Sequence, residues 1–251
     1  MRNVITITTD FGDQFAASQL RAVIATLGFK GEIIENHSVT PFAISEGAFE
    51  IKQIAKFSPH GSIHVGVVDP GVGTSRWGIV IETPRSWFVG PNNGLLYAAA
   101  CEEGILNIWK IEESAFGKEV TNTFHGRDIF IKAAVYIAQG KDPIHFNCSS
   151  IGINLLEKIS FAEGEIVHID RYGNYKIHWT HKLIMGKKLI LQTHKKEKVT
   201  IPIVKTFDDV SPKKPLAMLG SNGTLEIAVN LASAVKTFRF GLGAKLLIKQ
   251  V

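Results

Sequence analysis

The sequence predicts a layered α/β domain over residues 1–160, followed by a smaller all-β domain over residues 161–251. In the first part, short apolar runs alternate with segments whose apolar residues recur at helical spacing, which is typical of a mostly parallel sheet with flanking helices. From about residue 164 the runs are short and are separated by hairpin turn residues, which favours strands alone. Between them, residues 142–163 lose clear periodicity and carry turn residues, so we place the domain boundary there.

The α/β pattern opens with alternating strands and helices. Residues 4–9 are rich in β-branched side chains and predict a strand, and apolar residues at helical spacing over 15–27, ended by a glycine, predict a helix. Residues 32–35 predict a second strand, 43–57 a second amphipathic helix, and 62–68 a third strand. Because the third run is apolar on both faces, we expect it at the centre of the sheet.

The remaining elements follow from shorter runs. Residues 79–82, 87–89 and 105–109 predict further strands of the first domain, and 128–139 predicts a helix with an apolar face. In the second domain, strands are predicted at 166–170, 175–179, 189–193, 199–202, 225–229 and 245–249.

Composition excludes several classes of protein. The chain has 251 residues, 28 Lys and Arg against 23 Asp and Glu for a net charge of +5, and 45% hydrophobic residues, which is too apolar for a disordered chain. The densest basic run, at 194–200, contains a glutamate and is better interpreted as a solvated hairpin than as a nucleic-acid patch. We therefore expect no nucleic-acid partner.

The sequence also gives no signal for export, membrane insertion or a metal site. Cys101 and Cys148 lie far apart without a CxxC spacing, so neither a disulfide framework nor a zinc site is suggested. Thr6, Thr8 and Asp10 interrupt the N-terminal apolar stretch before it could serve as a signal-peptide core. No run approaches the ~18 apolar residues of a membrane span. These features predict a cytoplasmic protein with no metal and no membrane association.

Three polar segments stand at strand ends or helix starts: TTDFGD at 8–13, VVDPGVGTSR at 67–76 and TFHGRD at 123–128. Ligands of α/β sheets bind outside the carboxyl ends of strands, so this location favours a site. Each segment also has a structural interpretation. Asp10 could bind ribose hydroxyls or cap the next helix, the GVG loop lacks the Lys-Ser/Thr ending of a P-loop, and His125 could be a structural hydrogen-bonding residue.

In the second domain, residues 170–174 and 220–223 have the chemistry of hairpin turns and, taken alone, are only turns. Taken together and in order, however, seven segments resemble the S-adenosyl-L-methionine (SAM) hydroxide adenosyltransferases, the adenosine-forming SAM hydrolases related to fluorinases and chlorinases. The segments are TTDFG at 8–12, HSVTPF at 37–42, VVDPGVGTSR at 67–76, GPNNGLL at 90–96, FHGRDIF at 124–130, IDRYGN at 169–174 and GSNGTLEIAVN at 220–230.

The resemblance implies a barrel-like second domain, a homotrimer with SAM at the contact between neighbouring subunits, and no cofactor. It also implies that Asp69, Arg76 and His125 are catalytic. Water would attack the ribose 5′ carbon in line with the departing sulfur, which gives adenosine and methionine. A carboxylate suits proton acceptance from water, a guanidinium suits stabilisation of hydroxide-like character, and the histidine would complete the hydrogen-bonded holder.

The same resemblance implies substrate contacts. Asp10 would hold the ribose hydroxyls, Phe42 would pack near the ribose, and Tyr172 would stack on adenine. Hydrogen bonds to the base or the amino-acid end would come from Asn174, Ser221 and Asn222. Asn222 stands where the halogenating relatives carry an arginine, and the loop 12–17 is shorter than usual and has no match for the family's second carboxylate there.

Two alternatives stay open at this point. The first is a SAM-dependent halogenase that uses chloride or fluoride. Against it, His125-Gly126 stands where fluorinases carry a tyrosine-serine pair, and a buried Asp69 beside the nucleophile would repel a halide. The second is a non-catalytic sensor of SAM or adenosine, which the complete set of Asp69, Arg76 and His125 argues against.

Overall fold

A computed structural model of the chain describes residues 4–12, 14–117, 120–192 and 198–251. It divides into two compact units, Met1–Ile159 and Ser160–Val251. Each unit has its own hydrophobic core, and the first is α/β while the second is built mainly from antiparallel strands. The predicted fold class is therefore confirmed.

The first unit contains one seven-stranded sheet. Its strands are β1 Val4–Thr9, β2 Glu32–Asn36, β3 Ile63–Val67, β4 Gly78–Glu82, β5 Trp87–Pro91, β6 Asn107–Ile111 and β7 Cys148–Ser150. They lie in the order β2-β1-β3-β5-β4-β6-β7. The pairs β1–β2, β1–β3 and β3–β5 are parallel, whereas β4 runs antiparallel to β5 and β6, and β7 runs antiparallel to β6. Most strands therefore run in one direction, as predicted.

Helices cover both faces of this sheet. They are α1 Gln14–Thr26, α2 Ile44–Phe57, α3 Tyr97–Glu103 and α4 Ile131–Ala138. Val65 and Val67 of β3 belong to the core that contains residues of α1 and α4. Gly66 faces the other way, because a Cβ there would lie 2.8 Å from Ile51 Cδ1 of α2. Every residue of β3 is buried, which confirms its predicted central position.

The helix predicted at 128–139 begins earlier and less regularly than expected. It starts with a π-helical turn, Gly126–Phe130, and continues as α4. No helix among the described residues is long and apolar enough to cross a membrane.

In the described part of the second unit, seven strands have a barrel-like arrangement around a main core. One sheet has the order β12-β13-β9-β8 and the other β11-β10-β14, and isolated bridges from Ile203 to Ala217 and from Glu165 to Lys245 link their edges. The strands are β8 Ile166–Ile169, β9 Tyr175–Ile177, β10 Lys188–Gln192, β11 Lys198–Pro202, β12 Pro215–Leu219, β13 Leu225–Val229 and β14 Leu247–Gln250, with one short helix, α5 Ala234–Phe238.

The basic run at 194–200, interpreted from sequence as a solvated hairpin, falls mostly outside the described residues. Only residues 198–200 of that run are described, and they belong to β11.

A buried histidine in β3 predicts a pH dependence of stability. His64 is fully buried, and its Nδ1 is hydrogen-bonded to the Thr6 hydroxyl at 2.8 Å. Burial, with a smaller contribution from the charge of Arg85, lowers the pKa of His64 to about 4. In the unfolded chain the pKa returns to about 6.5, so between these values the unfolded state binds the extra proton. Stability is therefore lost as the pH falls through this window.

We expect this histidine to lower the free energy of unfolding by about 3 kcal/mol between pH 6.5 and pH 4. Urea unfolding of the wild-type protein and of His64→Gln across this range measures the effect. The variant should be less stable at neutral pH but should lose less stability on acidification. If the free energy of unfolding of the two proteins fell equally as the pH is lowered, His64 would not be the group responsible.

Candidate active site

The sheet itself brings the first polar segments together. Strands β1, β2 and β3 are parallel neighbours, with Thr8 opposite Asn36 and Thr9 opposite Val67. Their carboxyl ends therefore lie at one edge, and the residues that follow each strand meet there. Asp10 follows β1 directly, the segment 37–42 follows β2 directly, and one residue separates Asp69 from the end of β3.

Two glycines allow the segment that carries His125 to approach this edge. Gly73 has φ +73°, and a Cβ at this position would lie 2.2 Å from the backbone oxygen of Asn122. A Cβ at Gly126 would lie 2.9 Å from Val67 Cγ1. Only glycine fits such close approaches, and only glycine adopts the left-handed backbone freely. The loop 69–76 therefore packs directly against the segment before the helix, and the start of the helix packs against the end of β3.

Asp69, Arg76 and His125 form one buried cluster. A single nitrogen of Arg76, Nη2, contacts both partners: it donates to Asp69 Oδ2, and it lies 3.1 Å from His125 Nδ1. The side chains of Arg76 and Asp69 are 8% and 5% exposed, and His125 is 1% exposed. The guanidinium also lies 5.4 Å from the centre of the Phe130 ring, where its charge is favourable.

The contacts fix the hydrogen-bonding roles in the cluster. A guanidinium has only donors, so His125 Nδ1 accepts from Arg76, and in the neutral ring the proton lies on Nε2. Among the described residues, His125 Nε2, Asp69 Oδ1, and Nε and Nη1 of Arg76 have no hydrogen-bond partner although they are buried. Unpaired buried polar atoms are costly and therefore mark a place for a further polar group. The cluster thus offers one free acceptor beside free donors.

Burial raises the pKa of Asp69 above its ordinary value, although the charge and hydrogen bond of Arg76, the charge of His125 and a backbone hydrogen bond from Gly71 act in the opposite direction. A carboxylate with a raised pKa is a stronger base than an exposed aspartate. Asp69 is therefore suited to accept a proton from a weak nucleophile.

A cavity of about 110 Å³ in the first unit joins this cluster to the end of β1. Its wall includes Asp10, Phe42, Asp69 and His125. Asp10 is fixed there because its Oδ2 accepts a hydrogen bond of 2.8 Å from the backbone N–H of Phe42. Arg76 does not line the cavity but supports Asp69 and His125, which do.

The second unit has a larger cavity, of about 920 Å³. Tyr172, Asn174 and Ser221 all line it, whereas Asn222 does not. Tyr172 is 71% exposed, and Asn174 is held by Asp170, which accepts from its backbone N–H at 2.9 Å and from its Nδ2 at 3.1 Å. The large exposed ring offers a stacking surface, while the buried amide offers directed hydrogen bonds.

The polar floor of this second cavity was not predicted. Lys176 of β9 lies opposite Glu226 of β13, and Lys176 Nζ contacts Glu226 Oε2 at 2.5 Å and Asp170 Oδ2 at 3.6 Å. All three residues line the cavity. The alternation in β9, where Lys176 separates the core residues Tyr175 and Ile177, was the available signal for an outward-facing lysine. Its pairing with Glu226 depends on strand register, which the sequence does not give.

Sequence comparisons match both parts of the chain to one family. Residues 5–147 match the SAM hydroxide adenosyltransferase N-terminal domain, and residues 164–247 match the SAM hydroxide adenosyltransferase C-terminal domain. A protein of Salinispora tropica named (R)-S-adenosyl-L-methionine hydrolase is 32% identical over 240 residues, which cover 90% of each chain. A fluorinase of an Actinoplanes species is 24% identical over 254 residues, which cover 83% of this chain and 84% of that protein.

A solved structure shows the same fold. An uncharacterized conserved protein from Thermotoga maritima has a TM-score of 0.90 and 28% identity, over 98% of this chain and 100% of that chain. The two matched domains account for both units and include every predicted site residue. The chain therefore belongs to the SAM hydroxide adenosyltransferase family.

Proposed function

We propose that the protein is a hydrolase that converts SAM, in its (R)-sulfonium form, to adenosine and L-methionine. The observation that carries the proposal is the buried cluster of Asp69, Arg76 and His125, in which Asp69 lines a cavity and has one unpaired oxygen. The sulfonium configuration is proposed from the name of the Salinispora relative.

In this reaction a water molecule attacks the ribose 5′ carbon. An O–C5′ bond forms while the C5′–S bond breaks, and its electron pair neutralises the sulfonium as methionine departs. Asp69 accepts the proton that water loses, and the proton then passes to solvent. The sulfonium is already an activated leaving group, so the proposed reaction uses no metal and no other cofactor.

Arg76 and His125 prepare the nucleophile. The guanidinium holds one Asp69 oxygen through Nη2 and leaves Oδ1 unpaired, so the water has a defined acceptor. His125 has a proton on Nε2 for the oxygen of the attacking water or of the ribose. Because the cluster is buried, these fixed charges act in a medium that screens them little.

The substrate contacts are proposed on the same basis. Asp10 binds the ribose hydroxyls and Phe42 packs beside the sugar, since both line the cavity that Asp69 lines. Tyr172 stacks on adenine, and Asn174 and Ser221 bind the base or the amino-acid end. Asn222 belongs to the same set, since it is adjacent to Ser221 in the same turn.

The two halves of this site are proposed to come from neighbouring subunits of a homotrimer. Large apolar side chains around the second cavity support this idea: Leu219 and Leu231 are 69% and 85% exposed in a single chain. Exposed apolar surface of this kind is typical of an interface. A cytoplasmic location and the absence of nucleic-acid partners also remain proposals.

The test is a product assay with the two sulfonium epimers of SAM supplied separately in oxygen-18 water. We expect equimolar adenosine and methionine from the (R) epimer, with the label on the adenosine 5′ oxygen. Label in methionine would contradict attack at the 5′ carbon. Parallel assays with chloride or fluoride test the halogenase alternative, which predicts a 5′-halogenated nucleoside. Binding of SAM without any product would instead support a sensor.

A further inference from the structure

Three hydrogen bonds hold the turn that carries Asp10, residues 9–12, against the segment 37–42. Thr9 Oγ1 lies 2.8 Å from His37 Nδ1, the backbone N–H of Gly12 donates to the His37 oxygen at 3.0 Å, and the backbone N–H of Phe42 donates to Asp10 Oδ2 at 2.8 Å. We call these two segments the Asp10 turn and the clamp. One end of the clamp, His37, therefore contacts the residues on either side of Asp10, and the other end, Phe42, contacts the Asp10 carboxylate itself.

The bond between Thr9 and His37 has a defined direction. His37 Nε2 lies 3.4 Å from Glu35 Oε1, and Glu35 is anchored by Arg21 Nε at 3.0 Å. A carboxylate only accepts, so in the neutral ring Nε2 carries the proton and Nδ1 accepts from the Thr9 hydroxyl. The Thr9 oxygen also accepts from the backbone N–H of Phe11 at 3.2 Å. Thr9 is fully buried, so loss of its hydroxyl would leave two polar groups without a partner.

The backbone at the far end of the clamp needs this support. Phe42 has φ +67°, a left-handed conformation that is unfavourable for a bulky residue. Such a conformation persists only where the surroundings hold it in place. Its N–H is the group that fixes Asp10, and its side chain is 73% exposed at the cavity wall.

We propose that Thr9 and His37 are positioning residues for substrate binding. Neither residue lines the cavity itself, but their bond fixes the clamp and through it the direction of the Asp10 carboxylate. This inference rests on the proposed function, in which Asp10 binds the ribose hydroxyls. It predicts that breaking the bond weakens binding of the nucleoside while the chemical step, at Asp69, is preserved.

The chain supplies a matched control on the same strand. Thr6 Oγ1 and His64 Nδ1 form a second buried Thr–His bond, also of 2.8 Å, between β1 and β3. Neither residue lines the cavity that contains Asp10. Thr6→Val therefore removes the same type of bond from the same strand without touching the clamp.

The experiment compares Thr9→Val, Thr9→Ser and Thr6→Val by steady-state kinetics with SAM and by calorimetric titration with adenosine. For Thr9→Val we expect KM and the adenosine Kd to rise about tenfold, the effect of one lost hydrogen bond, while kcat changes by less than about twofold. Thr9→Ser keeps the hydroxyl and should restore both values. Thr6→Val should lower Tm but leave KM and Kd unchanged.

Two further variants, Asp10→Ala and its combination with Thr9→Val, test whether the effect passes through Asp10. Adding Thr9→Val to Asp10→Ala should weaken adenosine binding no further than Asp10→Ala alone, because the positioned group is then absent. Additive losses would overturn the inference. The inference would also be overturned if the protein hydrolyses SAM and Thr9→Val and Thr6→Val change KM equally.

Hydrogen exchange of the unliganded protein separates this inference from the proposed function. The amides of Gly12 and Phe42 should exchange faster in Thr9→Val than in the wild-type protein, and Thr6→Val should leave them unchanged. If the wild-type protein neither binds adenosine nor hydrolyses SAM, the proposed function fails. If Thr9→Val leaves exchange at these two amides unchanged, the Thr9–His37 bond does not hold the clamp in place, and the inference fails.

Discussion

Asp69→Asn is expected to lower kcat for SAM hydrolysis by about 10²- to 10⁴-fold while the Kd for adenosine stays nearly unchanged. The substitution keeps the size of the side chain but removes the base that accepts the proton from water. The product adenosine makes its proposed contacts with other residues, so its binding does not need this charge. Rapid-quench kinetics and calorimetric titration of the same preparation measure the two quantities.

Asp10→Ala serves as the comparison, since it removes the other carboxylate of the same cavity. It should raise KM and the adenosine Kd and affect kcat less. The pH profile adds an independent measurement: because burial raises the pKa of Asp69, the acid limb of kcat/KM should lie above the range of an exposed aspartate. Near-native turnover by Asp69→Asn would show that another group activates the water.

Mixed oligomers should regain activity from two inactive parents. One parent carries Asp69→Ala in the first unit, and the other carries Asn174→Trp in the second, where the larger side chain fills the cavity. In a cyclic trimer whose sites combine the first unit of one subunit with the second unit of its neighbour, random mixing pairs two intact units at about a quarter of the sites. Activity after joint unfolding and refolding should therefore return to about that fraction.

Each parent refolded alone is the control for this experiment and should stay inactive. Native mass spectrometry of the mixture establishes whether mixed trimers form. If every site were built within one chain, each would carry one lesion or the other, and mixing would restore nothing. Inactive mixed trimers would therefore contradict the inter-subunit site but not the chemistry assigned to Asp69.

Local periodicity was sufficient to predict most of the long elements. Strand β1 and helix α2 lie within one residue of their predicted bounds, because their apolar residues recur at a spacing that only one secondary structure buries. Elements with too few residues to show a period were missed: helix α3 has seven residues, and strand β7 has three. Strand β12 was also missed, because it begins with a proline, a residue that argues against a strand.

The sequence by itself determined the two-domain fold class, the family and the segments at which polar residues gather, because burial patterns and ordered motifs are properties of the chain. The tertiary structure decided which of these residues meet. That one nitrogen of Arg76 contacts both Asp69 and His125, and that Thr9 meets His37, depends on strand order and on loops packed against each other. Contacts between residues 28 to 49 positions apart follow from sheet register and from close approaches at Gly73 and Gly126, which local sequence patterns do not encode.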